Sequence, residues 1–146
     1  MTIARFLVAV SFISVLFFFE PVASAEKANE TAFARLLVEK SPWRVTWEIL
    51  EYSVIGRHTI SFDGATNGAP LTGRMFDLDV DSRSTPGPLK NIALKPEKGN
   101  CIRFNIQRGH EFNYCLTDEG TLKGTMEGIS GSGKDFEASA VAKPKE

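Results

Sequence analysis

The chain reads as an exported all-β protein: an antiparallel barrel or sandwich of about eight strands, preceded by a short N-terminal helix and a cleaved signal peptide. Three observations predict this. The N-terminus has the pattern of a leader, an apolar period of two sets in after Pro42, and turn-forming residues recur roughly every 8–12 residues. The reading divides the chain into a signal peptide at 1–25, a helical segment at 26–42, a β domain at 43–142 and a tail at 143–146.

The leader comes first. Arg5 precedes an apolar run from Phe6 to Phe19 that only Ser11 and Ser14 interrupt. Glu20 and Pro21 stop the run, and Ala23-Ser24-Ala25 supplies a small-x-small site with cleavage before Glu26. A spanning helix wants about 20 apolar residues, so cleavage is preferred over anchoring, with no stable membrane insertion afterwards. No Cys stands at the cleavage site to carry a lipid. The expected location is periplasmic or secreted. Losing Arg5 and Glu20 together leaves the formal charge at −1. That balance supplies no field for nucleic acid or for an anionic membrane. About 120 residues remain, enough for one domain with a core of its own.

From Glu26 to Lys40, Phe33, Leu36 and Leu37 fall at helical spacing, and Ser41-Pro42 ends the segment. Trp43, Val45, Trp47 and Ile49 then alternate with polar residues as a half-buried strand. A second strand covers Val54 to Phe62, with Ile60 and Phe62 on one face. Leu71 to Val80 reads as a long strand whose apolar phase slips between Met75 and Phe76, which predicts a bulge. Residues 81–88 read as a loop, and Leu89 to Lys95 as a strand. Four more strands follow at about 101–107, 111–117, 121–128 and 135–142. No helix separates them, so neighbours pair antiparallel. Leu71-Thr72-Gly73-Arg74-Met75 and Leu122-Lys123-Gly124-Thr125-Met126 echo one another as similar hairpin elements.

The segment from Cys101 to Cys115 folds about Arg108. A loop of Gln107-Arg108-Gly109 with Gly109 in the left-handed region gives a favoured hairpin geometry. That register pairs Ile102 with Tyr114, Phe104 with Phe112, Arg103 with Asn113, Asn105 with Glu111 and Cys101 with Cys115. Opposed Cα atoms in a sheet lie within disulfide range, and an exported protein meets an oxidising compartment. The expectation is a structural disulfide between Cys101 and Cys115.

No motif points to catalysis, and no catalytic residue is assigned. Gly128 to Lys134 has phosphate-loop spacing, but Asp135 replaces the Ser or Thr and a strand replaces the helix, so a turn is preferred. Asp77, Asp79 and Asp81 have calcium-loop spacing, yet Ser82 and Pro88 stand where Gly and Glu belong. No metal and no cofactor are therefore expected. His58 shares its parity with Ile60 and Phe62 and points inward, more in the manner of a core histidine than of a catalyst. The candidate ligand-binding residues are Trp43, Trp47, His58, Phe104 and Tyr114, aromatic or ring-bearing side chains offered to one lumen.

The Trp-rich first strand (Trp43 to Ile49) and the Leu-x-Gly units at Leu71-Thr72-Gly73 and Leu122-Lys123-Gly124 resemble the calycin style of barrel shared by lipocalins and avidin-like proteins. The resemblance spans about residues 43–142 and implies a meander barrel. Val45 stands where the lipocalin Gly-x-Trp signature has Gly, so no ligand is carried over. The expected function is a non-enzymatic, extracytoplasmic binding protein holding a small apolar or amphipathic ligand. The alternative is an interaction module or inhibitor that meets an envelope protein through loops and strand edges. A pocket lined by Trp47 and Tyr114 would favour the first, and a filled barrel with a basic patch near Arg103 and Arg108 the second.

Overall fold

The computed structural model of the chain describes residues 22–64, 69–77, 87–95, 98–106, 109–130 and 132–145. Most of the leader, Asp79, Asp81 and Arg108 lie outside the described residues. A helix, α1 (Val22–Glu39), precedes nine strands: β1 (Trp43–Ile49), β2 (Val54–Asp63), β3 (Thr72–Asp77), β4 (Gly87–Pro88), β5 (Lys90–Lys95), β6 (Cys101–Asn105), β7 (Glu111–Leu116), β8 (Leu122–Ile129) and β9 (Asp135–Pro144).

All strands lie in one antiparallel sheet of order β4-β3-β2-β1-β9-β8-β7-β6-β5. Its two edge strands, β4 and β5, are separated in the chain by Leu89 alone, so the edges meet. The Leu89 N–H also donates to the Gly73 carbonyl on β3 at 2.9 Å. The sheet therefore curls into a nearly closed barrel rather than a sandwich. β4 and β5 act as one bent strand, with Asn91 at φ 53° and a register shift between Lys90 and Ala93 at the bend. Counted this way, the wall is an eight-stranded meander whose last strand pairs with its first.

Several sequence expectations need correction. The expected helix from Glu26 is present, and in the full chain α1 also takes in residues 22–25, because helix propensity continues across Ala23 and Ala25. β2 and β3 pair without interruption from Asp63↔Thr72 to His58↔Asp77, so no bulge separates Met75 from Phe76. Met75 faces Ile60 in the register while Phe76 is half-buried on the outer face, which explains the apolar slip without an extra residue. Gly87 and Pro88 are strand and not loop, paired with Met75 and Arg74. The tail is partly strand as well: β9 runs to Pro144, and the Lys145 N–H donates to the Pro42 carbonyl at 2.9 Å.

The cysteine hairpin has the expected register at all five pairs, from Cys101↔Cys115 to Asn105↔Glu111. Gly109 takes φ 78°, and Cys101 and Cys115 form a disulfide. The Leu-x-Gly-x-Met echo also has a structural cause. Gly73 and Gly124 each stand where a neighbouring backbone presses in: an added Cβ would meet the Ser61 carbonyl oxygen at 2.8 Å and the Asn113 carbonyl oxygen at 1.7 Å, respectively. In both segments glycine is required where the wall closes up.

Candidate functional site

Strand parity sends Trp43, Val45 and Trp47 of β1 and His58, Ile60 and Phe62 of β2 into the lumen, with Ile102, Phe104, Phe112 and Tyr114 from the cysteine hairpin. The rings form a continuous stack. Phe104 lies parallel to Phe112 at 5.1 Å, Phe62 meets Phe104 edge-on at 6.2 Å, and His58 meets Phe112 edge-on at 5.6 Å. β9 contributes Ala138, Ala140 and Ala142, whose small side chains leave room for this stack. The lumen is thus filled by the protein's own side chains.

All five sequence-predicted site residues face this interior. Trp43, Phe104 and Tyr114 are fully buried, His58 is 3% exposed and Trp47 is half-buried. They do not share one pocket. Trp43 belongs to the helix end, where its indole N–H donates to the Leu37 carbonyl at 3.0 Å. Trp47 lies against Gly56, where an added Cβ would come within 2.0 Å of its ring. Phe104 is central packing. His58 and Tyr114 hold the two buried side-chain polar atoms, Nε2 and the phenol oxygen, that have no hydrogen-bond partner among the described residues. Burial lowers the His58 pKa to about 4 and raises that of Tyr114, so both are neutral near neutral pH.

The two ends of the lumen differ. At one end α1 contacts β2 and β5 and seats Phe33, Ala34 and Leu37 on the core. Ser41 joins it: its hydroxyl donates to the Leu37 carbonyl at 2.9 Å and accepts the Phe62 N–H at 2.8 Å. At the other end lie the β1–β2 connection and the far end of β8. Every exposed large hydrophobic residue among those described is there: Leu50 at 72%, Tyr52 at 49%, Val54 at 44%, Ile55 at 60% and Ile129 at 63%. Ile129 reaches this end as the partner of Asp135 on β9, the strand whose Ser139 pairs with Glu48 beside the β1–β2 connection.

Sequence reasoning missed this apolar end, although a signal was present. No Gly, Pro, Asn or Asp occurs from Ile49 to Ile55, so the β1–β2 connection turns through Leu50–Tyr52 as a 3-10 turn, with Ser53 at φ 50°. A turn built from apolar residues keeps them in water unless something covers them.

The remaining motifs behave as turns or walls. The Gly128–Lys134 stretch closes by Ser130 N–H to the Lys134 carbonyl at 2.7 Å and leads directly into β9. No group of three His, Cys, Asp or Glu among the described residues is placed to hold a metal. No helix among them is long and apolar enough to cross a membrane. No protein family, curated protein or solved structure matches the chain. The barrel is compatible with the calycin style on its own topology alone.

Proposed function

We propose that the chain is an exported, non-enzymatic interaction module that docks a protein partner on the open end of a filled barrel. The observation that carries this reading is the gathering of Leu50, Tyr52, Val54, Ile55 and Ile129 at one end while the lumen is packed with the chain's own aromatics. Large apolar side chains left exposed at one end of a fold are the kind of surface that interaction sites use. Export is supported by the Cys101–Cys115 disulfide and by the leader pattern of residues 1–25.

A photo-crosslinking residue placed at Ile55, and in a second protein at Glu39 beside the helix, tests the docking reading in the native host. A discrete adduct at Ile55 that is missing at Glu39 is the expected result. Equal labelling at both positions would overturn it. The mass of the purified protein reports export separately: the expected N-terminus is Glu26.

A second reading is favoured by His58 Nε2 and the Tyr114 hydroxyl. A buried polar atom without a partner costs about 1–3 kcal/mol, and such atoms call for water or a ligand. On this reading a small neutral, hydrogen-bonding guest reaches one or both of these atoms. Native mass spectrometry decides it. An extra mass that disappears on denaturation and is missing from Tyr114→Phe supports the guest, and a bare monomer from the native host removes it.

A further inference from the structure

The β7–β9 side of the apolar end carries a row of carboxylates. Glu111 stands directly opposite Glu127, and Glu127 directly opposite Glu137, so three glutamates form one row across β7, β8 and β9. Asp135 is the register partner of exposed Ile129. These four carboxylate residues, with Ile129 and Phe136, line a shallow groove of about 460 Å³. Across β9, exposed Glu48 and Glu51 flank Leu50 on the β1 side.

Like charges directly opposite in a sheet repel. Arg103 pairs with Glu111 and holds its carboxyl below the usual range, and Lys134 sits at the β8–β9 turn. Arg44, Lys123, Lys143 and Lys145 stand toward the helix end, while exposed Arg57 on β2 lies opposite Thr46, two residues from Ile55. Lys123 is already paired with Glu119. Carboxylates therefore crowd the β8–β9 side of this end beside Ile129, and Arg103, expected in a basic patch with Arg108, is paired with Glu111.

Resting on the docking reading, we infer that the partner is cationic: a protein segment that places lysines or arginines around an apolar anchor. The anchor seats among Leu50, Ile55 and Ile129, and the bases meet Glu127, Glu137 and Asp135. The same charges disfavour two other occupants. A second copy docking end to end would bring carboxylates against carboxylates, and an anionic lipid surface would be repelled.

Three labelled amphipathic helical peptides test this against the purified, disulfide-bonded protein. They share an apolar face of Leu and Ile and carry Lys, Gln or Glu on the polar face, and binding is read by fluorescence anisotropy. The Lys peptide is expected to bind on the order of ten-fold tighter than the Gln peptide, with affinity falling as salt rises and no binding of the Glu peptide. Glu127→Gln with Glu137→Gln should remove most of that ten-fold preference. The control Glu30→Gln with Glu39→Gln, at the helix end, should leave it intact.

Equal binding of the Lys and Gln peptides without salt dependence overturns the cationic inference and leaves the docking reading standing. Lys-peptide binding unchanged in Leu50→Ser with Ile55→Ser overturns the docking reading itself. Self-association abolished by those serines, or binding to phosphatidylglycerol vesicles, assigns the end to a different occupant and overturns the inference.

Discussion

The barrel's two ends are made from the same strands but finished differently. At the helix end the apolar core is covered: Leu37 is fully buried, its carbonyl accepts from both Trp43 and Ser41, and the C-terminal Lys145 is tied to Pro42. At the opposite end Ile49 and Trp47 are only partly buried, and the residues beyond them are exposed. The core itself is buried in both cases, and it is the uncovered end on which the docking proposal rests. The difference teaches that exposure here is a property of one end and not of a loosely packed fold.

The largest expected effect would break the covered end. Leu37→Ala should destabilise by about 2–5 kcal/mol, because it deletes a fully buried side chain beneath a ring of hydrogen bonds. Urea denaturation measures it. A loss below about 1 kcal/mol would mean that α1 is not part of the core, and the ends would then be alike.

The next effect lies between the ends and depends on pH. Burial lowers the His58 pKa to about 4, against about 6.5 in the unfolded chain. Above pH 6.5 both states are neutral there and His58 makes no pH-dependent contribution. Below it the unfolded chain takes a proton that the folded chain refuses, so stability falls from pH 6.5 down to about pH 4, by roughly 3 kcal/mol in all. His58→Leu should flatten that part of the pH profile. An unchanged slope would show that the imidazole finds a polar neighbour that accepts its charge.

Much of this architecture was legible in the sequence, and the reasons are local. The hairpin register followed from Gly109 and from cysteines that could meet on only one pairing, and the structure has it at every pair. Inward placement of His58 followed from parity with Ile60 and Phe62. Closure was not legible, since it depends on Leu89 crossing from one sheet edge to the other, a contact between β3 and a residue sixteen positions later. The polar orphans were equally hidden: Tyr114 reads as an ordinary inward aromatic until its neighbours are known. Nor could the glutamate row be seen, because it needs three strands in register at once.

A smaller effect sharpens the contrast within the lumen. Tyr114→Phe keeps the ring and deletes a buried hydroxyl that has no partner among the described residues. Stability should be unchanged or rise by about 1 kcal/mol. A clear loss would mean that the hydroxyl is satisfied by a bound molecule or water, and would strengthen the guest reading.

The smallest folding effect belongs to the open end. Leu50→Ser and Ile55→Ser should each change stability by no more than about 0.5 kcal/mol, because 72% and 60% of these residues are already in water. Their effect on association should be large in comparison, which is the reverse of Leu37→Ala. Chemical denaturation and peptide binding on the same variants separate the two. If the serines cost several kcal/mol, Leu50 and Ile55 support the core as Leu37 does, and the open end is a second covered end. If stability holds while binding is lost, their apolar surface is kept for a partner, because the fold itself draws nothing from it.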